Sequence, residues 1–251
     1  MAMDEDLPPP IPAATLVLMR PAPGGPPEIL FLERTKTMAF AAGALVFPGG
    51  RIDPEDEEAA ASLAPGLADG AARIAAVRET IEETGIAPLL PSDQAAALRA
   101  GLAAGQGLAD LVSTRALALD LAALTPFARW CPNFREARRF DTLFYLAEAP
   151  HGAAEPTAQA GEAAHCFWAA AADVLADIEA GRAHAIFPTR RNLERLARFG
   201  SIEEARADAG RHPVAKITPW VEERDGRRFV CIPDGIGYPV TAEPYESARR
   251  R

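Results

Sequence analysis

Three closely spaced glutamates carry the most chemical potential in this chain. Glu79, Glu82 and Glu83 stand at i, i+3 and i+4, so on a helix their carboxylates converge on one side. Such a trio repels itself and weakens an isolated helix. A divalent cation relieves that repulsion, and hard oxygen donors suit Mg²⁺ or Mn²⁺; the plainer alternative is a solvated acidic face. Arg78 precedes the trio and is placed to pair with one of its carboxylates. Upstream, Phe47-Pro48-Gly49-Gly50-Arg51 reads as a strand running into a paired-glycine turn. Glycines there let backbone N–H groups approach an anionic group closely.

These groups need elements to hold them. Ile74, Val77 and Ile81 form an apolar stripe roughly opposite the glutamates, which predicts a helix over 71–84 docked on a sheet, with Gly85 as its left-handed cap. Strands are expected at 14–19 and 28–33, joined by the Pro-Gly turn at 21–27, and at 44–47. The acidic, alanine-rich stretch 53–69 is expected to be a loop or short helix. One or two peripheral helices are expected within 95–124. Strands follow at 139–146 and 166–168, helices at 170–180 and 188–199, and a short strand at 228–232. This alternation predicts an α/β layered domain rather than a bundle or sandwich.

With these elements in place, the sequence resembles the Nudix hydrolases, whose box reads G-x5-E-x7-R-E-U-x-E-E-x-G-U, with U aliphatic. Arg78-Glu79-Thr80-Ile81-Glu82-Glu83-Thr84-Gly85-Ile86 matches its second half, with Thr80 at an aliphatic position. Counting from Gly50, Asp56 falls where the early glutamate belongs, with Glu57 beside it, and the box carries an insertion placed at 58–70. The segment Leu32-x-Arg34-Thr35, Phe40-x-x-Gly43 and Val46–Asp56 is similar to the coenzyme A-associated signature. Ala39 stands where that signature often has arginine. Arg139-Phe140-Asp141-Thr142-x-Phe144-Tyr145 resembles a strand of the acyl-CoA diphosphatases with a split box.

The resemblance implies an α/β/α sandwich with a mixed β-sheet and added peripheral helices. It covers 12–199, with 200–251 an extension of the same domain. It also implies Mg²⁺-dependent (or Mn²⁺-dependent) hydrolysis of a diphosphate linkage in CoA or acyl-CoA, giving a phosphopantetheine and 3′,5′-ADP. The alternatives are a nucleotide-sugar, dinucleotide or cap-type substrate, or a catalytically silent nucleotide-binding module. With the helical geometry, the resemblance assigns Glu79, Glu82 and Glu83 as metal ligands and Arg78 as the residue that fixes a carboxylate. Gly49, Gly50, Arg34 and Arg51 are assigned to the substrate, with Arg138 or Arg139 in support. A further base is expected beyond the box: Glu162 first, Glu155 second. Either Asp56 or Glu57 replaces the early glutamate.

Charge and cysteine usage narrow the class further. With 26 basic and 35 acidic side chains the formal charge is −9, which disfavours nucleic acid or an anionic membrane as partner. An anionic small molecule held by local arginines and a cation stays compatible with that average. Cys131, Cys166 and Cys231 are odd in number and far apart, and read as reduced, inert thiols of a cytoplasmic protein. His151, His165, His184 and His212 show no ligand spacing. Trp130, Trp168 and Trp220 are expected in the core, with one of them able to stack on an adenine. Residues 1–12 lack the pattern of a signal peptide, and no run approaches the roughly 18–20 apolar residues of a membrane span. A homodimer is left open.

Overall fold

The computed structural model describes residues 9–35, 41–132, 139–161 and 163–248. Glu162, Arg138, Ala39 and Phe40 therefore lie outside the described residues. The first strand, β1 (Ile11–Arg20), alternates Ala14, Leu16 and Leu18 with Val17 and Met19, and all five are buried. A strand apolar on both faces must be covered on both. β1 accordingly lies inside a mixed sheet. It runs antiparallel to β2 (Glu28–Arg34) and parallel to a later strand, Phe140–Glu148, in register from Ile11↔Phe140 to Met19↔Glu148.

Two further short strands precede the helices: β3 (Leu45–Val46) pairs with β2, and β4 (Gly49–Arg51) pairs with β1 through Thr15↔Gly49 and Ala14↔Gly50. The glycine turn read from the sequence thus opens into a strand, because its backbone is clamped against the sheet. The remaining strands of the large sheet are β5 (Thr125–Trp130), β6 (Phe140–Glu148), β7 (Ala163–Ala170) and β8 (Lys216–Ile217). The order is β3-β2-β1-β6-β5-β8, with β7 also on β2.

One face of the sheet is covered by α1 (Pro54–Leu63), α2 (Gly70–Thr84), α3 (Ala95–Ala103) and α4 (Leu108–Thr114), which close over Ala14, Leu16, Leu18, Leu30 and Tyr145. The other face carries α5 (Ala171–Glu179), α6 (Phe187–Leu196) and α7 (Ile202–Arg211) over Val17, Met19, Phe31, Phe127 and Leu146. The result is the expected α/β/α sandwich. Ile202, Ala205, Ile217, Val230 and Tyr238 share that second cluster with Val17 and Phe31, so the described C-terminal residues are built into the same core. A small sheet of β9 (Trp220–Arg224), β10 (Arg227–Cys231) and β11 (Ala242–Pro244), followed by the single turn α8 (Tyr245–Ala248), completes this side.

Two elements position the site. In α2, Ile74, Val77 and Ile81 are fully buried as the stripe predicts, and Gly85 takes a left-handed φ of 72° while its N–H bonds Ile81 O. Thr80, at the aliphatic position, is tolerated because its hydroxyl donates to Ala76 O at 2.7 Å. Next to it, α1 forms where the sequence left a loop or short helix open. Asp53 caps it, Pro54 opens it, and Glu55, Asp56 and Glu57 fill its acidic first turn. Ala64 after α1 is buried against Gly70, so the segment 58–70 is partly core and not a free excursion.

Candidate active site

The centre of the site is one arginine shared among carboxylates. Arg78 Nε donates to Asp56 Oδ1 (3.0 Å) and Nη2 to Asp56 Oδ2 (2.8 Å). Its Nη1 donates to both Glu79 Oε1 and Glu82 Oε2, each at 2.9 Å. Nη2 also reaches the Arg51 carbonyl at 3.0 Å. Burial disfavours the charge on this guanidinium, yet its bonds to Asp56 and the fields of Glu79, Asp56 and Glu82 more than compensate and hold its pKa above the ordinary arginine value. Of the two candidates for the early carboxylate, Asp56 is the buried one and Glu57 is exposed. Asp56 also accepts the Asp53 N–H at 2.9 Å, so one side chain closes the start of α1 and grips α2.

The glycine turn meets the helix directly. Gly49 N–H donates to Glu83 Oε2 at 2.9 Å, and Glu83 is buried. A Cβ on Gly50 would collide with the Glu79 carboxylate, and one on Gly49 with the Ala14 carbonyl. The two glycines therefore give the acidic side chains room to stand against the sheet. The structure brings Gly49, Gly50, Arg78, Glu79, Glu82 and Glu83 together where β4 meets α2.

The other candidates scatter around this centre. Arg34 ends β2 at an irregularity in its pairing with β7, and its buried Nε has no hydrogen-bond partner among the described residues. The Arg51 side chain is exposed beside Asp53 at 3.6 Å. Arg139 lies just before β6, and its N-terminal neighbour is not described. Glu155 is 79% exposed and pairs with Arg20 at 3.2 Å. Glu162 is outside the described residues, but the segment leading to it is tied down: Thr157 N–H bonds Thr84 O (2.8 Å), Gln159 N–H bonds Glu83 O (3.0 Å), and Thr35 Oγ1 lies 3.4 Å from Gly161 O.

Some residues carry no obvious sequence signal. Arg73, buried in α2, donates to Asp69 Oδ1 (2.7 Å) and to the carbonyls of Leu121 and Leu124, and lies over the Tyr145 ring. Tyr145 in turn donates to Asp69 Oδ2 at 2.9 Å. Arg99 of α3 reaches the end of α2. Only an arginine in a run of small apolar residues hints at Arg73; nothing local marks Arg99.

The bystanders behave as ordinary residues. Burial raises the pKa of all three free thiols, Cys131, Cys166 and Cys231. His165 stacks on Phe167 near Glu33, and His212 Nδ1 lies 2.9 Å from Asp208 O. Trp130 is buried and donates to Tyr238 OH, Trp168 lies beneath Arg20, and Trp220, expected in the core, is instead exposed on β9. Among the described residues, no three His, Cys, Asp or Glu groups are gathered as a metal-binding set, and no helix is long and apolar enough to cross a membrane.

No protein-family model matches the chain. Solved structures do. A Nudix hydrolase from Alicyclobacillus acidocaldarius is 31% identical, with a TM-score of 0.69, over 79% of this chain and 96% of that one. The NUDIX domain of Shewanella oneidensis NrtR, complexed with ADP ribose, is 17% identical over 77% of this chain and 90% of that one, with a TM-score of 0.45. A MutT protein from Methanosarcina mazei Go1 is 16% identical over 76% of this chain and 94% of that one, with a TM-score of 0.43.

Proposed function

This chain belongs to the Nudix hydrolases, enzymes that act on phosphoric anhydrides, and from that premise we propose that it splits the diphosphate of CoA or an acyl-CoA. The observation that carries the diphosphatase reading is the Arg78 cluster, set against a glycine turn whose missing side chains leave space for the Glu79 carboxylate. The CoA assignment rests on the segment from Leu32 to Asp56 and on the strand after Arg139. Water attacks one phosphorus, the bond to the bridging oxygen breaks, and the products are a phosphopantetheine (or its acyl form) and 3′,5′-ADP.

The donor chemistry suits a hard divalent cation, three carboxylates on one helix, two bonded by Arg78 and one by Gly49 N–H, although among the described residues they are not gathered into a ready metal-binding set. Glu79, Glu82 and Glu83 would hold Mg²⁺ or Mn²⁺, which when bound offsets diphosphate charge and acidifies the attacking water. Arg78 keeps its carboxylates from splaying apart. Arg34 is assigned to the substrate on its buried, unpaired Nε, and Arg51 on its exposed side chain near the turn. Glu162 is proposed as proton acceptor, with Glu155 second. An intact Arg78-Glu79 and Glu82-Glu83 set speaks against a silent module.

Incubation with CoA esters, ADP-ribose, NADH and diadenosine polyphosphates, each with Mg²⁺, tests the substrate. The expected result is preference for a CoA ester, with 3′,5′-ADP as a product. Preference for ADP-ribose or NADH over every CoA ester overturns it. Glu162→Gln is expected to lower kcat by roughly 10²–10⁴-fold. A near-normal Glu162→Gln beside a collapsed Glu155→Gln moves the role to Glu155.

A further inference from the structure

The last four carbonyls of an α-helix have no partner within the helix. In α2 each of them is accounted for, and by unusual means. Ile81 O accepts the Gly85 N–H, as an ordinary cap requires. Glu83 O and Thr84 O accept the N–H groups of Gln159 and Thr157 from the segment ahead of β7. Glu82 O accepts Arg99 Nε at 3.0 Å. The same guanidinium donates through Nη1 to Thr157 Oγ1 at 2.6 Å. One side chain thus joins three pieces of chain: α3, the end of α2, and the segment at 157–159.

We propose that Arg99 is a positioning residue for the diphosphatase reaction, locking the end of α2 so that Glu82 and Glu83 keep their places. The inference rests on the reading of α2 given above. A rigid helix end matters because Glu82 and Glu83 sit in the final turn, where helices fray most readily. Arg99 satisfies one of its carbonyls, and its positive charge lies at the negative end of the helix dipole. Through Thr157 it also steadies the segment that satisfies the next two. Gly85 leaves the space for this: a Cβ there would come within 3.0 Å of Arg99 Nη1 and 3.2 Å of Thr157 Oγ1. Arg99 thus reaches α2 through the Glu82 carbonyl and the 157–159 segment through the Thr157 hydroxyl.

The test compares Arg99→Met, Arg99→Lys and Thr157→Val in the full chain. Arg99→Met is expected to lower kcat about ten- to a hundredfold while KM stays within about twofold, as a small displacement of reacting groups does. Arg99→Lys, which can still reach Glu82 O, is expected to recover part of the loss. Thr157→Val, at an exposed position, removes only the second contact and is expected to fall between Arg99→Met and wild type. Independently of turnover, hydrogen exchange at the amides of Thr157 and Gln159 is expected to quicken in Arg99→Met. Wild-type kcat in Arg99→Met, or unchanged exchange at both amides, overturns the role of Arg99. Glu83→Gln separates the two readings: if it kills turnover while Arg99→Met does not, only the positioning role fails. If Glu83→Gln is fully active with saturating Mg²⁺, the reading of α2 fails instead.

Discussion

Arg78 and Asp56 face each other as a two-pronged ion pair, with both guanidinium–carboxylate distances at 3.0 Å or less. Asp56 is 3% exposed and Arg78 13%. Removing Asp56 strips two charge-assisted hydrogen bonds from Arg78 but leaves Glu79 and Glu82 as its partners, at a cost of about 1.5–3 kcal/mol. Asp56→Ala is therefore expected to lower stability in urea titrations by that order and to reduce turnover as Arg78 loses its anchor. Glu57→Ala, on the exposed neighbour, is expected to stay within about 0.5 kcal/mol of wild type. Equal effects from the two would mean that Asp56 does not organise the site.

The paired glycines should fail in different ways. At Gly50 an added methyl meets the tip of a flexible side chain, Glu79, which can swing aside. Gly50→Ala is thus expected to fold with a near-normal melting temperature and to lose at least about tenfold in turnover. At Gly49 the methyl meets the Ala14 carbonyl and Thr15 Cα, backbone that cannot yield. Gly49→Ala is expected to lose stability by about 1–3 kcal/mol, the usual range for overpacking. Calorimetry alongside a turnover assay distinguishes the two outcomes.

Asp69 makes stability depend on acid. Burial alone would raise its pKa, but hydrogen bonds from Arg73 and Tyr145 and the Arg73 charge outweigh burial and hold it below the ordinary 3.8. A lowered folded pKa contributes stability above the unfolded value, and that contribution is lost as pH falls through the folded one. Asp69→Asn is expected to be less stable than wild type at neutral pH, with the gap narrowing below about pH 4. A gap that stays constant down to acid unfolding would remove Asp69 from the linkage. Burial, then the charge and hydrogen bond of Asp69, push the Tyr145 hydroxyl well above its ordinary pKa against the opposing charge of Arg73.

The segment 58–70 can be probed by deletion. Replacing 58–70 with a short Gly-Ser link would cost little if the segment were a free loop, since closure grows by only about 0.6 kcal/mol per doubling. The structure argues otherwise. Ala64 is buried, Ala60 and Leu67 pack on the same cluster, and Asp69 anchors Arg73 and Tyr145. The shortened chain is expected to lose its cooperative thermal transition or to melt at a markedly lower temperature. An unchanged melting curve would show that the core does not need this segment.

Much of the site was legible because it is local. Helical periodicity places Glu79, Glu82 and Glu83 on one side of a helix and Ile74, Val77 and Ile81 on another, and the resemblance singles out the glutamates as the candidate site. Gly85 announced its own φ. What stayed hidden depends on partners far along the chain. Gly49–Arg51 is a strand only because β1 lies beside it. The choice of Asp56 over Glu57 depends on which carboxylate faces Arg78, on the next helix along the chain but adjacent in space. Arg73 and Arg99 do their work on carbonyls of other elements, Leu121, Leu124 and Glu82, and no spacing rule reports such contacts. The α7 helix lies where no helix is expected from the sequence, although Ser201, Glu203 and Glu204 form a usable start, with Ser201 Oγ accepting the Glu204 N–H.

The parallel pairing of β1 with β6 also sets a timetable. During synthesis the apolar strand at 11–20 emerges early, while the strand that shields one of its edges is complete only at residue 148. At about 5–20 residues per second the ribosome leaves that edge open for roughly ten seconds. A buried, β-rich segment waiting so long is exposed to mispairing with other nascent chains. Pro12 near its start and Arg20 at its end are the kinds of residue that discourage such pairing. The order in which the strands are made thus leaves the sheet's central strand reliant on its own end residues until the chain beyond Glu148 has emerged.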